Sequence, residues 1–192
     1  KLAGNSLSTI QIVFVRGMIT LIITAILIFR EKINPFGNHK KLLSARGITG
    51  TIALFLVYES IKRFPLSEAT VIQYLFPIFT ALIAALIISE PLNKNILRAI
   101  FIGLFGVYVV LGFPFLLDTS EINLDSVCIA ITGSFFTGLA YVLVRQSTKL
   151  NEHPLVVMFY FPLFTVPFCF PLLLPNWITP SSIEWIHLLL VG

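Results

Sequence analysis

Charge is scarce in this sequence. Of 192 residues, 11% are Asp, Glu, Lys or Arg and 57% are hydrophobic, and the mean hydropathy is +0.94. A soluble domain carries roughly a quarter charged residues, so too little polar side chain is present to cover this much apolar surface in water. Both a soluble fold and a disordered chain are excluded. Cysteine is scarce too. Cys128 and Cys169 each lie inside an apolar run, which excludes a disulfide scaffold and offers no metal-ligand spacing. His39, His153 and His187 are scattered, and Asp118 and Asp125 have no acidic or histidine partner within a helix. Clustered acid–base chemistry of the kind a lipid-modifying enzyme needs is missing. There is no glycine-rich phosphate loop ending in Lys-Ser/Thr, hence no support for direct ATP drive, and no cofactor is indicated. No basic patch interleaves with aromatics, so the net charge of +4 does not point to nucleic acid.

What is abundant is long apolar sequence. Six runs, at 10–29, 47–61, 69–89, 96–117, 126–144 and 154–174, are separated by polar or turn-rich connectors, and a seventh, after Ser182, stops at Gly192. A bilayer core of about 30 Å takes roughly 20 residues of helix. Backbone amides in lipid must be satisfied inside the segment, and runs such as Ile83-Ala84-Ala85-Leu86-Ile87-Ile88 lack the alternation of a barrel strand. The expected class is all-α, a polytopic transmembrane helical bundle. Because the chain starts at Lys1 and its last run stops short, it reads as an internal piece of a longer protein.

The cations set an orientation. Arg30, Lys32, Lys40, Lys41, Arg46, Lys94, Arg98, Arg145 and Lys149 fall in one alternating set of connectors, and Lys1, Lys62 and Arg63 in the other. Nine against three puts the first set in the cytoplasm and runs the helix at 10–29 from outside to inside. A faint repeat aligns Lys1-Leu2-Ala3-Gly4-Asn5-Ser6-Leu7 with Lys149-Leu150-Asn151-Glu152-His153-Pro154-Leu155. Five crossings lie between the copies. An odd number inverts the second, the arrangement of many secondary transporters.

The most specific text is Tyr58-Glu59-Ser60-Ile61-Lys62-Arg63-Phe64-Pro65-Leu66-Ser67-Glu68-Ala69. It continues through Gln73-Tyr74-Leu75-Phe76-Pro77-Ile78-Phe79-Thr80-Ala81-Leu82 to Ser89-Glu90-Pro91-Leu92. This resembles the EamA domain of the drug/metabolite transporter superfamily, with Ser89 where that family usually has glycine. Arg16 and Gly103-x-x-Gly106 are similar as well. The resemblance implies inverted five-helix repeats, with about seven of ten helices present: a first repeat at 1–117, from the end of helix one to helix five, and the start of a second at 118–192. It also implies a multi-pass protein of the cell (inner or plasma) membrane that carries small molecules.

Candidate site residues follow from helical spacing. Gln73, Pro77, Thr80 and Ala84 share one stripe, and Ser134, Thr137, Tyr141 and Arg145 form a similar face on a later helix; Pro77 frees the carbonyl one turn earlier. Gln73 is assigned hydrogen bonding, Tyr74 and Tyr141 stacking, Pro77 hinging, and Arg16 anion attraction or gating. Each has a plainer reading: close helix packing for the small and polar residues, headgroup anchoring for the tyrosines, and snorkelling for Arg16. Glu59 is expected to pair with Lys62 and Arg63, Glu90 to belong to a turn, and Gly47, Gly50, Thr51, Ala99, Gly103 and Gly106 to serve packing. Pro162, Pro167 and Pro171 are expected to bend or partly unwind their helix, the plainer reading being that neighbouring helices tolerate them. The resulting reading is a non-enzymatic secondary carrier of small organic metabolites or drugs working by alternating access. An intramembrane lipid-modifying transferase and a non-transporting scaffold stand as alternatives.

Overall fold

The computed structural model describes residues 8–63, 66–89, 91, 93–110, 124–177, 179–180 and 185. Among the described residues every regular element is a helix: α1 Thr9–Arg30, α2 Lys40–Arg63, α3 Leu66–Gln73, α4 Phe76–Ile87, α5 Lys94–Val110, α6 Leu124–Lys149 and α7 Pro154–Leu173, then a 3₁₀ turn at Leu174–Asn176. Five segments are long and apolar enough to cross a membrane: α1, α2, α3 with α4, α6 and α7. The fifth helix, α5, is described over 17 residues. The first copy of the faint repeat, Glu90, residues 111–123 and most of the final run lie outside the described residues. The helices form two compact units, Lys1–Thr51 with Ser147–Gly192, and Ile52–Gln146.

In the first unit, α1 opens on Ser8, whose hydroxyl accepts the Gln11 N–H at 3.3 Å. This is the side-chain cap that a helix start requires. α1 packs along α7 in antiparallel register. Phe14 meets Phe170, with ring centroids 6.2 Å apart, and Gly17 faces Val166. Farther along, Glu31 reaches the His153 ring at 3.9 Å. The start of α2 lies against α7 through its small residues: a Cβ on Gly47 would sit 2.5 Å from Phe164 Cδ2 and 2.6 Å from the Tyr160 carbonyl oxygen. The buried hydroxyls of Thr51 and Thr165 are 2.8 Å apart, and each also reaches the carbonyl four residues back. Small residues here let two backbones approach.

The proline-rich run shows no unwinding: α7 is one α-helix from Pro154 to Leu173, with Pro162, Pro167 and Pro171 inside it. Each proline deletes one intrahelical bond, but in lipid the remaining amides have no better partner than the helix itself, and the neighbouring helices tolerate the prolines.

The loop between α1 and α2 is fastened to the loop between α6 and α7 by a single carboxylate. Glu152 is buried, and its Oε1 accepts the backbone N–H groups of Asn38 at 2.8 Å and His39 at 2.6 Å, with the His39 ring Nδ1 also at 2.8 Å. It thereby satisfies amides at the open N-terminus of α2, where negative charge is favoured. Gly37, at φ +58°, makes the approach possible, since a Cβ there would lie 2.6 Å from Glu152 Oε2. These are two of the connectors that the distribution of cations groups on one side of the bilayer.

Burial pushes the Glu152 carboxyl up, but the hydrogen bonds from the His39 ring and the two amides, together with the His39 charge, outweigh it. The net effect holds the group below its ordinary value of 4.5. A depressed folded value means that the stabilisation is complete above that ordinary value and is lost as pH falls through the folded one. Thermal unfolding in detergent should therefore hold level from pH 7 to 5 and fall below about pH 4.5, with the fall reduced in Glu152→Gln.

In the second unit the third span is broken. α3 ends at Gln73 and α4 begins at Phe76. At the break Leu75 N–H reverts to the Ile72 carbonyl at 3.0 Å, and Pro77 has no N–H to give the Gln73 carbonyl. Ser134 of α6, fully buried, covers the gap. Its hydroxyl lies 2.8 Å from the Ile72 carbonyl and 3.4 Å from that of Gln73. Ile72, Leu75 and Ala130 are buried together around this point, and Ile83, Ala84 and Val142 form a second cluster about two to three turns on. Gly138 lets α6 come against the α4 backbone, with a Cβ there falling 2.9 Å from Thr80 N.

Other small-residue positions diverge. A Cβ on Gly103 would lie 3.1 Å from Ile78 Cδ1, whereas one on Gly106 would have nothing within 4 Å among the described residues. Packing accounts for the first glycine. Ser89, standing where glycine is usual, takes the left-handed conformation itself at φ +54°. Glu59 is paired as expected, with Arg63 Nε at 3.0 Å and Lys62 Nζ at 3.9 Å.

Candidate functional site

The break between α3 and α4 opens onto a cavity of about 250 Å³ within the second unit. Phe76, Pro77, Thr80, Ala81 and Ala84 of α4 form one wall. Tyr141 and Arg145 of α6 form another, and Pro91 and Ile96 close the end before and at the start of α5. Local sequence sets each wall. Pro77 sits in the first turn of α4, where a missing N–H costs least. From there the period of 3.6 brings Thr80, Ala81 and Ala84 to one face. Tyr141 and Arg145 are one turn apart on α6 and share a face for the same reason. Asn93 starts α5 by accepting the Ile96 N–H at 2.8 Å.

The chemistry of the cavity is mixed. Phe76 and Tyr141 stack, with centroids 5.2 Å apart and planes at 20°, leaving a flat apolar shelf. The Thr80 hydroxyl donates to the Phe76 carbonyl at 2.7 Å, so its lone pairs remain to accept from a ligand. Arg145 supplies a guanidinium, and no carboxylate is among the described lining residues. No group of three or more His, Cys, Asp or Glu that could hold a metal ion is found among the described residues.

Of the residues chosen from the sequence, Pro77 and Tyr141 line this cavity together. Gln73 lies one turn before it, and its side-chain amide donates to the Thr137 hydroxyl at 3.0 Å, joining the end of α3 to α6. Tyr74, at the break, is 67% exposed and is not a lining residue. Arg16 is exposed on α1, in the first unit. Thr80 and Ala84 complete the stripe that helical spacing picks out. Arg145 also lines the cavity; helical spacing puts it on one face of its helix with Ser134, Thr137 and Tyr141, while the distribution of cations uses it to fix orientation. Phe76, Ala81, Pro91 and Ile96 are lining residues that sequence reasoning did not choose for the site.

Comparison with known proteins gives the same picture of the fold. A solved crystal structure superposes with a TM-score of 0.74 at 17% identity, covering 97% of this chain and 66% of the other. The chain is 24% identical over 193 residues to the pseudopaline exporter of Pseudomonas aeruginosa, matching all of this chain and 66% of the exporter. It is 27% identical over 128 residues to the S-adenosylmethionine uptake transporter of Rickettsia prowazekii, covering 67% of this chain and 42% of that one. It thus spans just under two thirds of the exporter. The model of the EamA-like transporter family matches residues 1–112, more than half of the sequence. With five apolar spans and this match, the chain is a multi-pass membrane protein belonging to the EamA-like transporter family.

Proposed function

We propose that the protein is a secondary carrier of small organic metabolites, working by alternating access in the cell membrane and catalysing no reaction. The observation that carries this reading is the broken third span. A membrane helix whose regular hydrogen bonding is interrupted beside a proline, next to a cavity walled by a ring shelf, a hydroxyl and a cation, suits a solute pathway better than a packing seam. The names of the relatives support carriage, one as an exporter and one as an uptake transporter. The two inverted repeats, 1–117 and 118–192, belong to this proposal, as do the cytoplasmic placement of the cation-rich loops and the roles of Gln73, Tyr74, Pro77, Tyr141 and Arg16 around the route.

The test is flux. The protein, produced at its full genomic length and placed in liposomes, should move members of a panel of radiolabelled amino acids, nucleobases, sugars and polyamines without forming product. Conversion of a lipid by the same preparation would replace the carrier with a transferase. Pro77→Ala, which returns an N–H to the Gln73 carbonyl, should slow flux several-fold while elution from a sizing column stays unchanged. Full flux in that variant removes the hinge.

A further inference from the structure

Resting on the carrier reading, we infer that Ser134 is the positioning residue of a pivot in the third span. Its hydroxyl passes one hydrogen bond between the Ile72 and Gln73 carbonyls as the span flexes, and so sets the rate of conformational exchange and not the affinity for solute. Both ends of the break are tied to one stretch of α6. On the α4 side, a Cβ on Gly138 would fall 2.9 Å from Thr80 N and 3.0 Å from the Phe76 carbonyl oxygen, so the two backbones touch. On the α3 side, the Gln73 amide donates to the Thr137 hydroxyl at 3.0 Å, which donates in turn to the Gly133 carbonyl at 2.8 Å. Ser134 lies within that stretch, facing the break. Its side chain is fully buried and carries one hydroxyl proton. Three carbonyls are within reach of it: Ile72 at 2.8 Å, Ala130 at 3.1 Å and Gln73 at 3.4 Å. Ile72 also accepts the Leu75 N–H at 3.0 Å, so it keeps a donor when the hydroxyl leaves. Gln73 has no such reserve, because Pro77 brings no N–H, and a carbonyl shut away from water without a donor costs about as much as a lost hydrogen bond. Closing the break toward Gln73 moves the hydroxyl to the carbonyl that needs it, and opening returns it to Ile72. A donor shared in this way keeps two arrangements of the span close in free energy, as a segment that bends in every cycle requires.

A double-mutant cycle with Pro77 tests this. Amide hydrogen exchange over residues 70–80 is followed by mass spectrometry on the full-length protein in phosphatidylcholine nanodiscs. Without the hydroxyl, the Gln73 carbonyl finds a donor only by local opening to water. Ser134→Ala should therefore raise exchange about fivefold, as the loss of one neutral hydrogen bond requires. Ser134→Cys, which keeps a weak donor, should recover part of the protection. In a Pro77→Ala background, where Gln73 regains a backbone donor, Ser134→Ala should change exchange by less than about twofold. The panel of radiolabelled solutes in liposomes supplies the second readout. For each solute the parent moves, Ser134→Ala should lower maximal flux about fivefold with KM within about twofold, and add no loss to that of Pro77→Ala. Exchange and flux unchanged in Ser134→Ala would overturn the inference. So would an effect of Ser134→Ala equally large with and without Pro77→Ala, or a raised KM at unchanged maximal flux. Absence of flux for every solute in the parent discards the carrier alone, because the exchange cycle decides the pivot without it.

Discussion

Glu152→Ala should destabilise the protein by about 3 kcal/mol, the range in which removing one member of a buried charged hydrogen-bond network falls. The side chain accepts from two backbone amides and the His39 ring through a single oxygen. Alanine removes the acceptor of both partly buried amides at the start of α2 and loosens the contact between the two loops. For a chain of this length about 3 kcal/mol corresponds to roughly 6–12 °C in the unfolding midpoint, read by loss of the monodisperse peak after heating in detergent. Glu152→Gln keeps an acceptor oxygen and should lose about half as much. His39→Ala removes only the ring contact at 2.8 Å and should cost less than either. A midpoint for Glu152→Ala within about 2 °C of the parent would show that water replaces the carboxylate.

Gly47→Val should be the other severe change. Even the Cβ would meet Phe164 Cδ2 at 2.5 Å and the Tyr160 carbonyl at 2.6 Å. The ring can turn aside, but the carbonyl belongs to the α7 backbone, so α2 and α7 must separate. Overpacking of this kind costs about 1–3 kcal/mol, more when backbone has to move, and the yield of folded protein in detergent should fall steeply. Gly106→Ala is the matched control. Among the described residues nothing lies within 4 Å of its Cβ, and alanine favours helix over glycine by about 0.5–1 kcal/mol, so that variant should hold or gain stability. Parallel losses at both positions would mean that general helix softness, and not the α2–α7 seam, governs the response.

The helices were legible because the bilayer leaves backbone so few choices. The runs at 10–29, 126–144 and 154–174 become α1, α6 and α7 with ends shifted by a few residues, since polar connectors mark where amides can again bond water. The break in the third span was half legible. Pro77 signals a freed carbonyl, but nothing local shows that Ser134, more than sixty positions on, is placed to cover it. The three prolines of α7 left two readings open for the complementary reason, because their effect depends on packing against residues such as Gly17 and Gly47, far away in sequence. At the cavity, the stripe Pro77, Thr80, Ala84 followed from periodicity alone. The same periodicity puts Tyr141 and Arg145 on one face of α6, but that Phe76 stacks on Tyr141 and that Pro91 and Ile96 close one end could not be read locally, because those contacts come from other segments.

The fastening at Glu152 also constrains how the protein is made. The amide of His39 waits for an acceptor synthesised 113 residues later. At ribosomal speeds of about 5–20 residues per second, the interval is roughly 6–23 s. Throughout it the first turn of α2 is hydrated and unlocked while later helices enter the bilayer. Biogenesis therefore closes from its far end: a truncated nascent chain stopping before residue 152 should leave that turn open to proteases and hydrogen exchange, and release past it should shut both off together.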